Sequence, residues 1–141
     1  MKYIKLYESF IKQESKYYDE YLDGGSIQGI IHYDNEYIYN WFYKRNINPN
    51  EYKEYLNNKT VAFLNNINVD DSERGKGYGF QLYDMFEDFC IENEADIIIL
   101  ESDSPEEQSE GFILDEWYLK LGFEIIGNES GNNIMIKYLE E

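Results

Sequence analysis

Nine residues constrain this chain more than any others. SERGKGYGF, residues 72 to 80, sets Gly75, Gly77 and Gly79 at every second position, with Arg74 just before them and Lys76 between the first two. Glycine loses more conformational freedom on folding than any other residue, so it is costly inside an element. A cluster of three points to a backbone that another molecule approaches closely, or to a plain tight turn before a helix. The two cations say that this molecule is an anion. The need is local, because the whole chain carries 29 acidic against 12 basic residues, a formal net charge of −17. A molecule this acidic has to build positive potential in one place if it binds an anion, and its overall field attracts cationic partners instead. The same balance excludes a nucleic-acid binder with a basic stripe.

The flanks decide what the glycines do. TVAFLNNINVD, residues 60 to 70, predicts a strand with Val61, Phe63, Ile67 and Val69 on one face. GFQLYDMFEDFCIENEA, residues 79 to 95, predicts a helix whose apolar face holds Leu82, Met85, Phe86, Phe89 and Cys90. DIIIL, residues 96 to 100, is nearly all apolar, as a strand buried on both faces would be. A strand that feeds a helix through glycines leaves backbone N–H groups at the helix start. With the helix dipole they form an anion site. Arg74 adds a forked, charge-assisted donor. The spacing is not that of a P-loop, nor of the Gly-x-Gly-x-x-Gly dinucleotide fingerprint.

Around this core, residues 1 to 22 have apolar positions that fit an amphipathic helix, stopped by Gly24 and Gly25, the alternative being a short first strand over residues 2 to 7 and then a helix. Residues 26 to 33 and 36 to 43 predict a hairpin about Asp34-Asn35, with Tyr37, Tyr39 and Trp41 on one face of its second strand. Residues 47 to 58 predict a loop and short helix. FILDEWYLKLG predicts a short helix ended by Gly122, and FEIIG and NIMIKYL two closing strands. The single cysteine, Cys90, and the single histidine, His32, cannot form a zinc site or a disulfide, so no metal is expected. Cys90 is expected to be a buried small hydrophobe and His32 a satisfied structural histidine. No apolar run is long enough to span a membrane and no cleavable leader is visible, which gives a cytoplasmic expectation.

Arg74 to Gly79, read as Arg-Gly-x-Gly-x-Gly with Val69 five positions before the arginine, resembles the pyrophosphate motif of GNAT-type N-acetyltransferases. Trp117-Tyr118-Leu119-Lys120-Leu121-Gly122-Phe123 resembles that family's late signature, aromatic-Tyr-x-x-x-Gly-Phe. The resemblance covers residues 60 to 139. It implies one α/β (α+β) domain over residues 1–141, with a central mixed, mostly antiparallel sheet flanked by helices. Residues 1–25 would be an N-terminal helical segment and 60–139 the cofactor-binding core. Acetyl-CoA would lie where the strand at 60 to 70 splays from the strand at 96 to 101. Backbone groups of Ile67, Asn68 and Val69 would pair with its pantetheine arm, and the amides of Arg74, Gly75, Lys76, Gly77, Tyr78 and Gly79 would hold its pyrophosphate. The Val69 amide would face the developing oxyanion.

The resemblance also implies a direct attack by an amine on the thioester. Tyr118 matches the tyrosine that protonates the leaving thiolate, the alternative being that it packs in the core. The family's strand glutamate is absent, since Asn65, Asn66 and Asn68 stand there. Glu101 and Asp103 are the nearest acidic candidates for a general base. Gly111 replaces the asparagine that many members carry seven positions before the tyrosine, and the acidic loop SDSPEEQSE is longer than in simple members. The acidic surplus favours a cationic acceptor: a protein lysine, a polyamine or an aminosugar. Two alternatives stand beside the enzyme, namely an acidic non-catalytic binder that mimics nucleic acid, and a CoA-binding relic without turnover.

Overall fold

The computed structural model describes residues 15–22, 24–52, 56, 59–70, 76–102, 114–129 and 131–139. Six strands form one sheet: β1 (Lys16–Leu22), β2 (Gly25–His32), β3 (Val61–Val69), β4 (Ile97–Glu101), β5 (Glu124–Glu129) and β6 (Asn132–Tyr138). Their order is β1-β2-β3-β4-β6-β5. Only β3 and β4 run parallel; the other neighbours are antiparallel. Helices α1 (Asn35–Tyr43), α2 (Tyr78–Glu92) and α3 (Leu114–Lys120) complete the described elements, with a 3-10 turn at Pro49–Tyr52. This is the mixed, mostly antiparallel sheet with helices that the sequence predicts.

Two layers of core follow from strand alternation. In β4, Ile98 and Leu100 join Leu64, Leu82 and Phe86 on the α2 side. Ile97 and Ile99 join Phe63, Ile38 and Phe42 on the α1 side. Ile97, Ile98, Ile99 and Leu100 are all buried, which explains why the β4 sequence reads as one apolar run.

Three expectations are corrected. Residues 16–22 form β1, not the end of a helix, with Tyr18 packed on Phe86 and Phe89 and Tyr17 and Tyr21 turned outward. KYYDEYL carries period two as well as a helical spacing, and pairing with β2 along its full length decides between them. Residues 1–14 lie outside the described residues. Second, residues 36–43 are helical. Asp34 caps α1, its Oδ1 accepting from the Glu36 N–H at 2.9 Å. Ile38 and Phe42, both fully buried, are four apart, a separation common to a strand face and a helix face. Third, Val61, Phe63, Ile67 and Val69 do not share a face. The β2–β3 register shifts between Gln28 and Gly29, leaving Asn65 as an extra residue on β3. Val61 and Phe63 therefore pack on the α1 side, Ile67 and Val69 on the α2 side.

Candidate active site at the parting of two strands

The bulge has a functional consequence. Strands β3 and β4 pair only from Val61 with Ile97 to Leu64 with Leu100. Beyond Leu64 the chain gains its extra residue and β3 continues to Val69 against β2 alone. The parallel neighbours part there. Along this stretch the Asp70 amide donates to the Gly24 carbonyl at 2.7 Å. Peptide groups of an antiparallel strand alternate in direction. Asp70 and Asn68 thus face β2, while Ile67 and Val69 turn their peptide groups to the edge from which β4 has departed. Of the three residues expected to pair with a cofactor arm, Asn68 is the one whose peptide groups point away.

The start of α2 meets this edge. Gly77 is the N-cap, at φ 84°, a left-handed conformation open to glycine at little cost. A Cβ built on it would touch none of the described residues within 4 Å. The first intrahelical bond runs from the Gln81 N–H to the Gly77 carbonyl, 3.1 Å. The amides of Tyr78, Gly79 and Phe80 precede it and have no acceptor within the helix. At Gly79 a Cβ would lie 3.4 Å from Trp117 Cζ2 and 3.7 Å from Val69 Cγ2. The end of β3, the glycine turn and α3 are therefore neighbours in space. Lys76 is exposed and Tyr78 half-buried, while Arg74 and Gly75 lie outside the described residues.

Helix α3 presents Trp117 to Phe80, with ring centroids 5.4 Å apart. Tyr118 is 5% exposed, its ring against Trp117 and Phe123 in the α2-side core. Gly122 at φ 103° turns the chain out of α3, and the Phe123 N–H closes that turn on the Tyr118 carbonyl at 3.1 Å.

Glu101 ends β4, one residue beyond the last β3–β4 pair, on the α1 side. Arg45 Nε donates to its Oε1 at 2.8 Å and Asn132 Nδ2 to its Oε2 at 3.1 Å. Asp103 lies outside the described residues.

Comparison with known proteins now bears on this geometry. The sequence matches the model of the acetyltransferase (GNAT) family over residues 2–123. The chain belongs to the GNAT acetyltransferase family. Its fold resembles an acetyltransferase from Bacillus cereus, at TM-score 0.59 and 20% identity over 98% of this chain and 86% of that one. It also resembles the PaiA N-acetyltransferase of Thermoplasma acidophilum, solved with coenzyme A, at 0.57 and 15% over 96% and 68%. The anti-CRISPR protein AcrVA5 aligns at 0.53 and 20% over 88% and 98%. No curated protein sequence matches. At these identities the structural likeness is one of fold.

In this GNAT protein two polar groups join elements that sequence alone did not connect. Ser102, 1% exposed, donates to Asp115 in the first turn of α3. Asn133 Nδ2 donates to the same carboxylate at 2.7 Å, and the Ser102 N–H donates to the Asn133 carbonyl at 2.8 Å. One carboxylate thus ties α3 to the ends of β4 and β6. The second group is Arg45 with Glu101, Trp41 and Asn132. Its members lie up to ninety-one residues apart, and Arg45 and Asn132 carried no motif. The one available signal was that Arg45 is one of only two arginines in the chain.

His32, the last residue of β2, is buried and stacks on Tyr37 with centroids 3.5 Å apart. Its Nδ1 is 2.8 Å from Ser15 Oγ. Its Nε2 is buried with no partner among the described residues, so it is satisfied at one nitrogen only. Burial pushes its pKa down, partly offset by Asp34. Cys90 is fully buried, and burial, helped by Glu87, pushes its thiol far above the ordinary range. Among the described residues no helix is long and apolar enough to cross a membrane.

Proposed function

We propose that this protein is an N-acetyltransferase that moves the acetyl group of acetyl-CoA to a primary amine. The observation that carries it is the parting of β3 and β4 beside the glycine-capped start of α2. The peptide groups of Ile67 and Val69 take the pantetheine arm like an added strand. The amides of Lys76, Gly77, Tyr78 and Gly79, with those of Arg74 and Gly75 and the Arg74 side chain, hold the pyrophosphate. Among the described residues, nothing crowds the Cβ position of Gly77, which would let a phosphate oxygen approach the backbone.

The chemistry needs two proton movements. An ammonium acceptor first loses a proton, for which Glu101 at the mouth of the gap is the proposed base. The free amine attacks the thioester carbon, the C–N bond forms and the C–S bond breaks. Tyr118 passes its hydroxyl proton to the leaving thiolate and regains one from the attacking nitrogen through water. The net products are an amide, free CoA and one released proton. For this step the geometry of the donor matters more than its acid strength.

Thermal unfolding with and without acetyl-CoA tests the proposal. Ligand at about a hundred times its dissociation constant adds roughly 2.7 kcal/mol, a rise of several degrees in a domain of this size. The rise should vanish in Arg74→Ala, and Tyr118→Phe should keep the rise but lose thiol release in the presence of an amine. No rise at millimolar acetyl-CoA would refute the enzyme and leave the acidic non-catalytic binder.

A further inference from the structure

The groups around Glu101 make a site for a cation, and the protein has filled it with one of its own. Arg45 follows α1. Its Cζ lies 3.7 Å above the Trp41 ring centroid, and one terminal nitrogen donates to the Trp41 carbonyl at 3.1 Å. Its Nε completes the contact with Glu101. An aromatic face beside a carboxylate is the usual environment of a bound cation. The pair is accessible, the side chains being 26% and 28% exposed.

Asn132 supplies a second observation. Only the amino end of its amide can serve a carboxylate, so the donation to Glu101 fixes which way the amide faces. Its Oδ1 is then left buried with no donor among the described residues. A buried acceptor without a donor is costly. Arg45 satisfies Glu101 and, among the described residues, nothing donates to this oxygen. A primary ammonium carries three N–H donors on one nitrogen, whereas Arg45 offers Glu101 its Nε alone. The site stands one residue past the last β3–β4 pair, where the strands part.

We infer that Trp41, Glu101 and Asn132 form the seat for the acceptor's ammonium group, that this group is a primary ammonium, and that Arg45 is an internal occupant which the acceptor displaces. This rests on the transferase reading above. It also assigns a role to the contact between Arg45 and Glu101. While Arg45 is seated, the carboxylate is engaged; once the acceptor replaces it, the carboxylate faces the nitrogen that must lose a proton.

The test uses n-pentylamine as probe, titrated into the protein with coenzyme A present, while the Trp41 indole N–H is followed by nuclear magnetic resonance. The wild type should show a weak, saturable shift. Arg45→Met, which keeps an apolar stem over Trp41 and removes the competing charge, should bind the amine about tenfold more tightly, equivalent to about 1.4 kcal/mol. Glu101→Gln should abolish the saturable shift, and n-pentanol should produce none. Equal affinity in wild type and Arg45→Met, or an equal response to n-pentanol, would overturn the inference. If Arg45→Met does not fold, Glu101→Gln decides alone, since undiminished amine binding there refutes the seat. The acetyl-CoA midpoint shift reports separately: a shift without an amine response removes the seat only, whereas no shift removes the transferase.

Discussion

Gly77 and Gly79 stand two residues apart in the same motif, yet replacing each by alanine should move stability in opposite directions. At Gly77 the described residues offer no steric obstacle, since none lies within 4 Å of the new Cβ. The cost is in the backbone, because φ is +84° and an L-residue held there loses roughly 1–2 kcal/mol. Unfolding entropy of about 2.1 cal/mol/K per residue, over 141 residues, gives about 0.3 kcal/mol per degree. Gly77→Ala should therefore lower the unfolding midpoint by roughly 3–7 °C. Gly79 lies inside the first turn of α2, and its Cβ would meet Trp117 Cζ2 at 3.4 Å, an ordinary contact. Alanine there gains about 0.5–1 kcal/mol of helix preference, so the midpoint should hold or rise by up to about 3 °C. Gly77→Asn should fall between, since asparagine tolerates the left-handed region better than alanine. Differential scanning calorimetry on the three variants without ligand measures this. Equal losses at both glycines would refute the claim that the sign of φ, and not mere proximity to the site, makes Gly77 special.

Gly29→Ala should be worse than either, because its Cβ would sit 2.3 Å from Phe86 Cε1 and 2.8 Å from the Phe63 carbonyl. Overpacking of this kind costs about 1–3 kcal/mol or more, and shortening Phe86 should restore only part of the midpoint, since the carbonyl cannot withdraw. The lowered pKa of His32 predicts a pH dependence. Below the unfolded value near 6.5 the unfolded chain binds the proton first, so stability present above that pH is lost as pH falls toward the folded value. The fall in midpoint between about pH 6.5 and 5 should be shallower in His32→Phe, which keeps the stack on Tyr37; identical slopes would show that His32 does not titrate differently in the two states. Cys90, buried and with its thiol pushed up, should resist a thiol reagent at pH 8 and react fully once the protein is denatured, and prompt reaction of the native protein would contradict its burial.

Much of the fold was legible where one period dominates. DIIIL has too few polar atoms to face water on either side, and β4 is buried on both. The α2 sequence places Leu82, Phe86 and Cys90 at helical spacing, and they are buried together. The glycine cluster foretold a turn into that helix, and Gly77 sits there in a left-handed conformation. Legibility failed where one spacing serves two structures. Ile38 and Phe42 satisfy a strand face and a helix face alike, and the Asp34 cap, with no strand partner for residues 36–43, settled it. KYYDEYL failed in the opposite sense, because its helical spacing was real and its pairing with β2 stronger.

The candidate site divides the same way. Its local part follows from residue types: glycines for close approach, cations for an anion, a left-handed residue at a helix start. These properties belong to neighbours in sequence, so composition and spacing determine them. Its long-range part does not. Whether Asn65 is a bulge depends on how β2 aligns with β3, and the bulge turns Ile67 and Val69 to the α2 side just where β4 leaves. Which carboxylate meets Arg45 depends on residues fifty-six positions apart being brought to 2.8 Å. Sequence alone determined that an acidic chain carries one positive, glycine-lined turn between a strand and a helix. Only tertiary structure decided where the sheet opens beside it and which side chains guard the opening, because strand register and the meeting of distant charges are set by the packing of the whole sheet.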